Sequence, residues 1–185
     1  MKKILIGFLL SIFIVGCVSN INAKMKSVRD PITGNIIYYG YSWTTGSEDI
    51  THDFDKRTDL STTLIVEPIK DIKKMNFTVI KSKEVKSAVY LQSYTLNIQS
   101  IKITNGTEEF IVENPGLTKK EFSSLGTPFG HSTVTFPIRD EDLRKLYNIY
   151  NSEKVILMAT DIYGKEHLGI VKDKTGILEL IEFLK

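Results

Sequence analysis

The chain has 185 residues, a length that suits one domain with a short tether. Its formal net charge is +2, and Lys2 and Lys3 at the N-terminus account for that surplus, so the rest of the chain is formally neutral. Nucleic-acid binding normally requires a basic surplus, so no nucleic-acid partner is expected. With 1 Cys, the chain cannot form an internal disulfide or a thiolate metal site.

The N-terminus has the order of a secretory signal. Met1, Lys2 and Lys3 precede an apolar run at residues 4–15, and the small residue Gly16 follows it. The run has about 12 residues, whereas a membrane-spanning helix needs about 20. We therefore expect residues 1–16 to be a cleaved targeting segment.

The end of this segment resembles the lipobox of bacterial lipoproteins. Its four residues are Ile14, Val15, Gly16 and Cys17. The resemblance implies that Cys17 carries a diacylglyceryl group and usually a further acyl chain, such as palmitate, and that it holds the protein on a membrane. The alternative is an ordinary cleaved signal followed by a chance cysteine. Some lipoproteins carry an Asp directly after the lipid cysteine, and this Asp retains them at the inner membrane. Because Val18 stands at that position here, the outer membrane is favoured if the cell has two membranes.

Residues 17–29 are expected to form a flexible tether, and residues 30–185 a single β-rich domain. A turn signal at residues 30–34 leads into a first strand at residues 35–43. Alternate residues of this strand form what we call the aromatic stripe, which consists of Ile37, Tyr39, Tyr41 and Trp43. Two interpretations are open: a strand face packed into the core, which we favour, and a stacking platform for sugars or peptide side chains.

Residues 44–62 are predicted to be a long acidic loop, and strands are predicted at residues 63–67 and 75–79, with a loop at 81–87. The acidic loop contains several oxygen ligands, namely Asp49, His52, Asp53, Asp55 and Asp59. The spacing does not fit a calcium loop, because Thr58 and Leu64 replace the required Gly and Glu. We therefore predict no metal site.

The clearest local signal is a hairpin within residues 88–114. Two β-type runs flank Asn105 and Gly106, the preferred pair for a two-residue turn. The apolar face of the first run changes phase near Gln99 and Ser100, which predicts a bulge there.

A second long loop is predicted at residues 115–132, with at most a short helical turn at 119–125. Its charged and aromatic side chains make it a candidate partner contact through Lys119, Lys120, Phe122 and Phe129.

The C-terminal part predicts a strand at residues 133–137, a helix at 140–150 capped by Asp140, and a closing amphipathic helix around 177–184. Between the helices, strands at 155–163 and 166–171 are joined by a turn at Gly164 and Lys165. The predicted fold class is mainly β, or α+β: an antiparallel sheet or sandwich with two late helices.

No catalytic, cofactor or metal residue is predicted. Residues 130–134 begin like a nucleophile elbow but end in Val134. Nothing in the sequence connects His52, His131 or His167 to a serine, and paired carboxylates leave no sequence signature. The leading hypothesis is a non-enzymatic binding or interaction module of the cell envelope with a protein, peptide or glycan partner. The alternatives are an envelope hydrolase and a structural envelope component.

The anchor can be tested by replacing Cys17 with Ser. We expect the wild-type chain to partition with membranes and to incorporate labelled palmitate, and the Cys17→Ser variant to lose both properties. Membrane fractionation and palmitate labelling measure this. Labelling that persists in the variant would contradict the assignment of the lipid to Cys17.

Overall fold

The computed structural model describes residues 24–44, 56–83, 95–123 and 129–185. These residues form ten strands, two α-helices and one short 3-10 helix at Pro68–Lys70. The strands are β1 (Lys26–Arg29), β2 (Ile36–Thr44), β3 (Lys56–Glu67), β4 (Ile72–Lys83), β5 (Ile98–Thr104), β6 (Glu109–Glu113), β7 (Lys119–Ser123), β8 (Phe129–Pro137), β9 (Ile156–Asp161) and β10 (Glu166–Asp173). The helices are α1 (Asp140–Tyr150) and α2 (Thr175–Phe183).

The strands form one sheet that curls into a half-barrel. Its order is β6-β5-β9-β10-β2-β3-β4-β8-β7, with β1 also paired to β2, and the neighbours are antiparallel. Buried residues of both helices share one core with the sheet. The predicted mainly β fold with two late helices is thus confirmed.

The two ends of the sheet carry different turns. We call the end where β2 begins, at Ile36, the lower end, and the end that Thr44 approaches the upper end. The β1–β2 and β3–β4 turns lie at the lower end, because these strands are antiparallel neighbours. The β9–β10 turn lies at the upper end, because β10 runs antiparallel to β2.

The core interpretation of the aromatic stripe is wrong. In β2, the buried residues are Gly40, Ser42 and Thr44, whereas the stripe is only partly buried. The reason is the close packing of α2 on the inner face of β2. A Cβ atom built on Gly40 would lie 2.4 Å from the carbonyl oxygen of Gly176. From Gly40 to Thr44 only small side chains fit beneath the helix, so the alternate residues of the stripe point outward.

A chain of buried hydroxyl groups joins α1 to the sheet. Ser42 Oγ lies 2.7 Å from Thr62 Oγ1, which lies 2.7 Å from the hydroxyl oxygen of Tyr150. Burial raises the pKa of Tyr150 to about 12, although the hydrogen bonds to Thr62 and Ser42 lower it in part. Because a buried hydroxyl without a partner costs free energy, this chain fixes the position at which α1 ends.

Several predicted loops are in fact strands. β1 occupies residues 26–29 of the expected tether, and β3 begins at Lys56, inside the predicted acidic loop. β4 extends to Lys83, into the predicted loop at 81–87. β3 and β4 pair along their whole length. Their outer ends carry mostly polar side chains, so the alternation of apolar residues marks only part of each strand. Residues 45–55 and 84–94 lie outside the described residues.

The predicted loop at residues 115–132 is also wrong, because it contains β7 and the start of β8. The hairpin of β5 and β6 is confirmed, as is the bulge between Ile98 and Ser100. Its turn spans residues 105–108 rather than two residues. Asn105 Oδ1 accepts hydrogen bonds from the backbone N–H groups of Thr107 and Glu108, and this local bonding favours the longer turn.

The C-terminal predictions are mostly confirmed. The helix at Asp140–Tyr150, the β9–β10 hairpin and the closing helix all form. The predicted cap is wrong: Asp140 is the first helical residue, and Asp142 Oδ2 accepts the hydrogen bond from the N–H group of Arg139 at 3.0 Å.

The contact between α2 and β2 predicts a large effect of one added methyl group. We expect Gly40→Ala to lower the free energy of unfolding by about 2 kcal/mol, because the methyl group forces α2 away from the sheet. Urea denaturation measures this. The control is Ser61→Ala on the outer face of β3, which we expect to change stability by less than about 0.5 kcal/mol. Equal stabilities of the two variants would contradict the close approach.

Candidate functional site

The aromatic stripe is the most distinctive feature of the outer face of the sheet. The rings of Tyr39 and Tyr41 are nearly parallel, with centroids 6.3 Å apart and planes 13° apart. Nζ of Lys26, on β1, lies 5.8 Å from the centroid of the Tyr41 ring. Burial raises the pKa of both tyrosines. Their hydroxyl groups therefore remain protonated at neutral pH and can both donate and accept hydrogen bonds.

Small polar side chains continue this face across the next three strands. Cross-strand partners lie on the same face of a sheet. One row of partners runs from Tyr41 through Thr63 and Asn76 to Thr135, and the next runs from Trp43 through Ser61 and Thr78 to Thr133. We call the side chains beside these two rings the polar field, which consists of Ser61, Thr63, Asn76, Thr78, Thr133 and Thr135.

Hydrogen bonds order the polar field. Thr78 Oγ1 lies 2.9 Å from Thr133 Oγ1, and Thr135 Oγ1 donates to Asn76 Oδ1 at 2.8 Å. From β2 to β8, the two rows contain only aromatic, hydroxyl and amide side chains. Charged groups border them: Lys74 lies in the row of Tyr39, and Asp59 lies in the row beyond Trp43. The arrangement is a surface with aromatic rings at one side, where Lys26 lies over Tyr41, and neutral hydroxyl and amide groups at the other.

The predicted partner contacts do not form one surface. Lys119, Lys120 and Phe122 lie on β7, an edge strand of the sheet, and Phe129 begins β8. Since successive residues of a strand point to opposite faces, Lys119 lies on the outer face, whereas Lys120 and Phe122 lie on the other. Lys119 also forms an ion pair with Glu121 at 2.6 Å. Their role as a partner contact stays a prediction.

One histidine pairs with a carboxylate in the interior. His167 Nε2 lies 3.3 Å from Asp161 Oδ2, and Asp161 Oδ1 accepts hydrogen bonds from the backbone N–H groups of Tyr163 and Lys165. Burial alone would raise the pKa of Asp161, but these hydrogen bonds outweigh it and lower the pKa. This geometry closes the β9–β10 turn, so the pair has a structural role there.

A polar cleft of about 480 Å³ lies between the turn at residues 105–108 and α1. Its walls carry both acidic and basic groups, including Glu108, Glu141, Arg144 and Lys145. Oε2 of Glu108 is buried without a hydrogen-bond partner among the described residues. The mixed charges of the walls do not favour one class of ligand.

Most of the oxygen ligands of the predicted acidic loop, for which no metal site is predicted, fall outside the described residues. These are Asp49, His52, Asp53 and Asp55, and Cys17 also lies outside, while Asp59 lies within β3. Across the described ranges, no group of three or more His, Cys, Asp or Glu side chains is placed to hold a metal ion.

Comparison of the chain with protein-family models, with curated proteins and with solved structures found no match. Among the described helices, none is both long and apolar enough to cross a bilayer.

The buried His167 predicts a pH-dependent stability. Burial lowers the pKa of His167, and the hydrogen bond to Asp161 offsets this only in part. The unfolded chain, with a histidine pKa of about 6.5, therefore binds the proton more readily. The contribution of His167 to stability is complete above about pH 6.5 and declines as the pH falls toward the folded-state pKa.

We therefore expect a lower free energy of unfolding at pH 5.5 than at pH 7.5 in urea denaturation, and a smaller difference in His167→Gln. His131→Gln is the control: burial lowers the pKa of His131 as well, but this variant keeps the contribution of His167. If wild type and His167→Gln show the same pH dependence, His167 is not the group responsible.

Proposed function

We propose that the chain is a lipid-anchored binding module of the bacterial cell envelope and that it binds a glycan on the aromatic stripe and the polar field. The observation that supports this most directly is the outward direction of the parallel Tyr39 and Tyr41 rings. Neighbouring tyrosine rings offer a rigid, amphipathic contact area at a low cost in conformational entropy.

The chemistry of the polar field favours a glycan over a peptide. The C–H faces of a sugar ring can stack on tyrosine rings, while its hydroxyl groups pair with groups that both donate and accept hydrogen bonds. Peptides commonly bind by adding a strand to a sheet edge. β2 offers only a short open stretch at residues 40–42, because β3 pairs with one side, and β1 and β10 pair with residues 36–39 and 43–44 on the other. An uncharged sugar chain fits the outer face of these central strands better than a peptide does.

The anchor supports the same role. Lipid on Cys17 would hold the domain at an envelope membrane, where cell-surface and cell-wall glycans are abundant, and we propose the outer membrane in a cell with two membranes. Two or more acyl chains give stable attachment. A weak glycan contact would then suffice, because attachment to the membrane raises the local concentration of the domain.

The glycan proposal is tested by removing the two stacked rings. We expect Tyr39→Ala combined with Tyr41→Ala to weaken binding to cell-wall sacculi and soluble wall oligosaccharides by about tenfold or more, because each stacking contact contributes about 1 kcal/mol. Co-sedimentation and calorimetry measure this. The matched control is Tyr163→Ala, which removes a tyrosine that is 88% exposed on the β9–β10 turn.

Thermal unfolding of each variant shows whether the fold is retained, and the single variants are measured beside the double one. If the folded double variant binds these glycans as strongly as wild type, the stripe is not the binding surface. If neither wild type nor variant binds them, the proposed glycan class is wrong.

A further inference from the structure

Exposed apolar side chains gather at the lower end of the sheet. Within the described ranges, thirteen large hydrophobic side chains are more than a third exposed, and six of them lie at this end. The six are Val28, Ile32, Ile36, Ile69, Ile72 and Phe183. The two most prominent stand on neighbouring turns: Ile32 on the β1–β2 turn is 92% exposed, and Ile69 on the β3–β4 turn is 74% exposed. We call Ile32 and Ile69 the isoleucine tip.

Both turns are held in one conformation by local bonds. In the first turn, Asp30 Oδ1 accepts a hydrogen bond from the N–H group of Ile32 at 2.9 Å, and Asp30 Oδ2 accepts one from Thr33 Oγ1 at 2.6 Å. In the second, the N–H group of Asp71 donates to the carbonyl oxygen of Pro68 at 3.1 Å. The isoleucines are therefore presented outward by ordered turns, and an apolar partner would need no rearrangement to cover them.

The reach of the tether favours a lipid bilayer as the partner. The N–H group of Met25 donates to Glu179 Oε2 at 2.8 Å, so the start of the domain is fixed on α2. Met25 lies eight positions after Cys17, and an extended chain of eight residue steps spans at most about 28 Å. From Lys26, β1 descends about 10 Å to the lower end, whereas the top of β10 lies about 33 Å away along the strands. The lower end is within reach of a bilayer that holds Cys17, and the upper end is at the limit.

Charge does not determine this contact. The lysines beside the isoleucine tip already have partners: Lys70 pairs with Glu67 at 2.9 Å, and Lys73 pairs with Asp71 at 2.6 Å and with Asp140 at 3.0 Å. Arg29, at the end of β1, is the exposed cation nearest to the first turn. The contact should therefore depend mainly on apolar insertion, and it should differ little between neutral and anionic lipids.

We propose that the isoleucine tip inserts into the interfacial layer of the bilayer that holds the lipid on Cys17. The domain then stands upright on its lower end, and the aromatic stripe faces sideways, away from the lipid. This inference rests on the proposed anchor at Cys17.

Site-specific labels test the orientation. Because the chain has 1 Cys, a lipidated Cys17 leaves any introduced cysteine as the only free thiol. The variants are Ile32→Cys and Ile69→Cys at the tip, Tyr163→Cys at the upper end, and Thr63→Cys beside the stripe. Each full chain is expressed with its signal, purified from membranes, labelled with an environment-sensitive fluorophore and reconstituted into phosphatidylcholine vesicles with spin-labelled acyl chains.

We expect the labels at positions 32 and 69 to be quenched at least about threefold more than the label at position 163, with little quenching at position 63 and little change when anionic lipid or 0.5 M salt is added. Equal quenching at 32, 69 and 163 would overturn the proposal. Strongest quenching at 63 would also overturn it, because the outer face would then lie flat on the bilayer.

The wild-type chain separates this proposal from the anchor on which it depends. If Cys17 is not lipidated, wild type takes up the thiol label and does not float with vesicles, and the anchor and the orientation both fail. If wild type floats and stays unlabelled but the tip labels are not quenched, the anchor stands and only the orientation fails.

Discussion

The close approach of α2 to β2 determines which face of the sheet meets solvent. At Gly40, the helix backbone is so near that a Cβ atom has no room, and the neighbouring inward positions hold Ser42 and Thr44. Tyr39, Tyr41 and Trp43 therefore occupy the outer face, whereas Tyr38 lies on the inner face, with its ring 4.8 Å from that of Phe183 near the end of α2. The same packing lets Ser42 join Thr62 and Tyr150 in one chain of hydroxyl groups, so the position of α1 follows from that of α2.

The sequence predicted the fold class well because its strongest signals are local. The helical spacing of Leu143, Leu146 and Tyr150 specifies α1, and all three are buried. Asn105 and Gly106 mark the correct hairpin, although the side chain of Asn105 stabilises a longer turn. These signals depend on neighbours in sequence, and so they can be read without knowledge of the tertiary structure.

The candidate site was harder to predict because it depends on contacts distant in sequence. Alternation in β2 separated the two faces correctly, but aromatic content was taken as the mark of burial. The small residues Gly40 and Ser42 on the opposite face were the signal for a packed helix. The polar field was missed because Ser61 was assigned to a loop, and because only the pairing of β3, β4 and β8 brings Thr63, Asn76 and Thr135 into one row.

The proposed anchor at Cys17, the isoleucine tip and the aromatic stripe are compatible in one arrangement. The tether enters the sheet at β1, the tip lies at the lower end of the same strands, and the rings occupy their outer face. Contact of the tip with lipid would restrict rotation of the domain on its short tether. A restricted domain loses less rotational freedom when its rings meet an extended ligand, so the tip would strengthen glycan binding without touching the glycan.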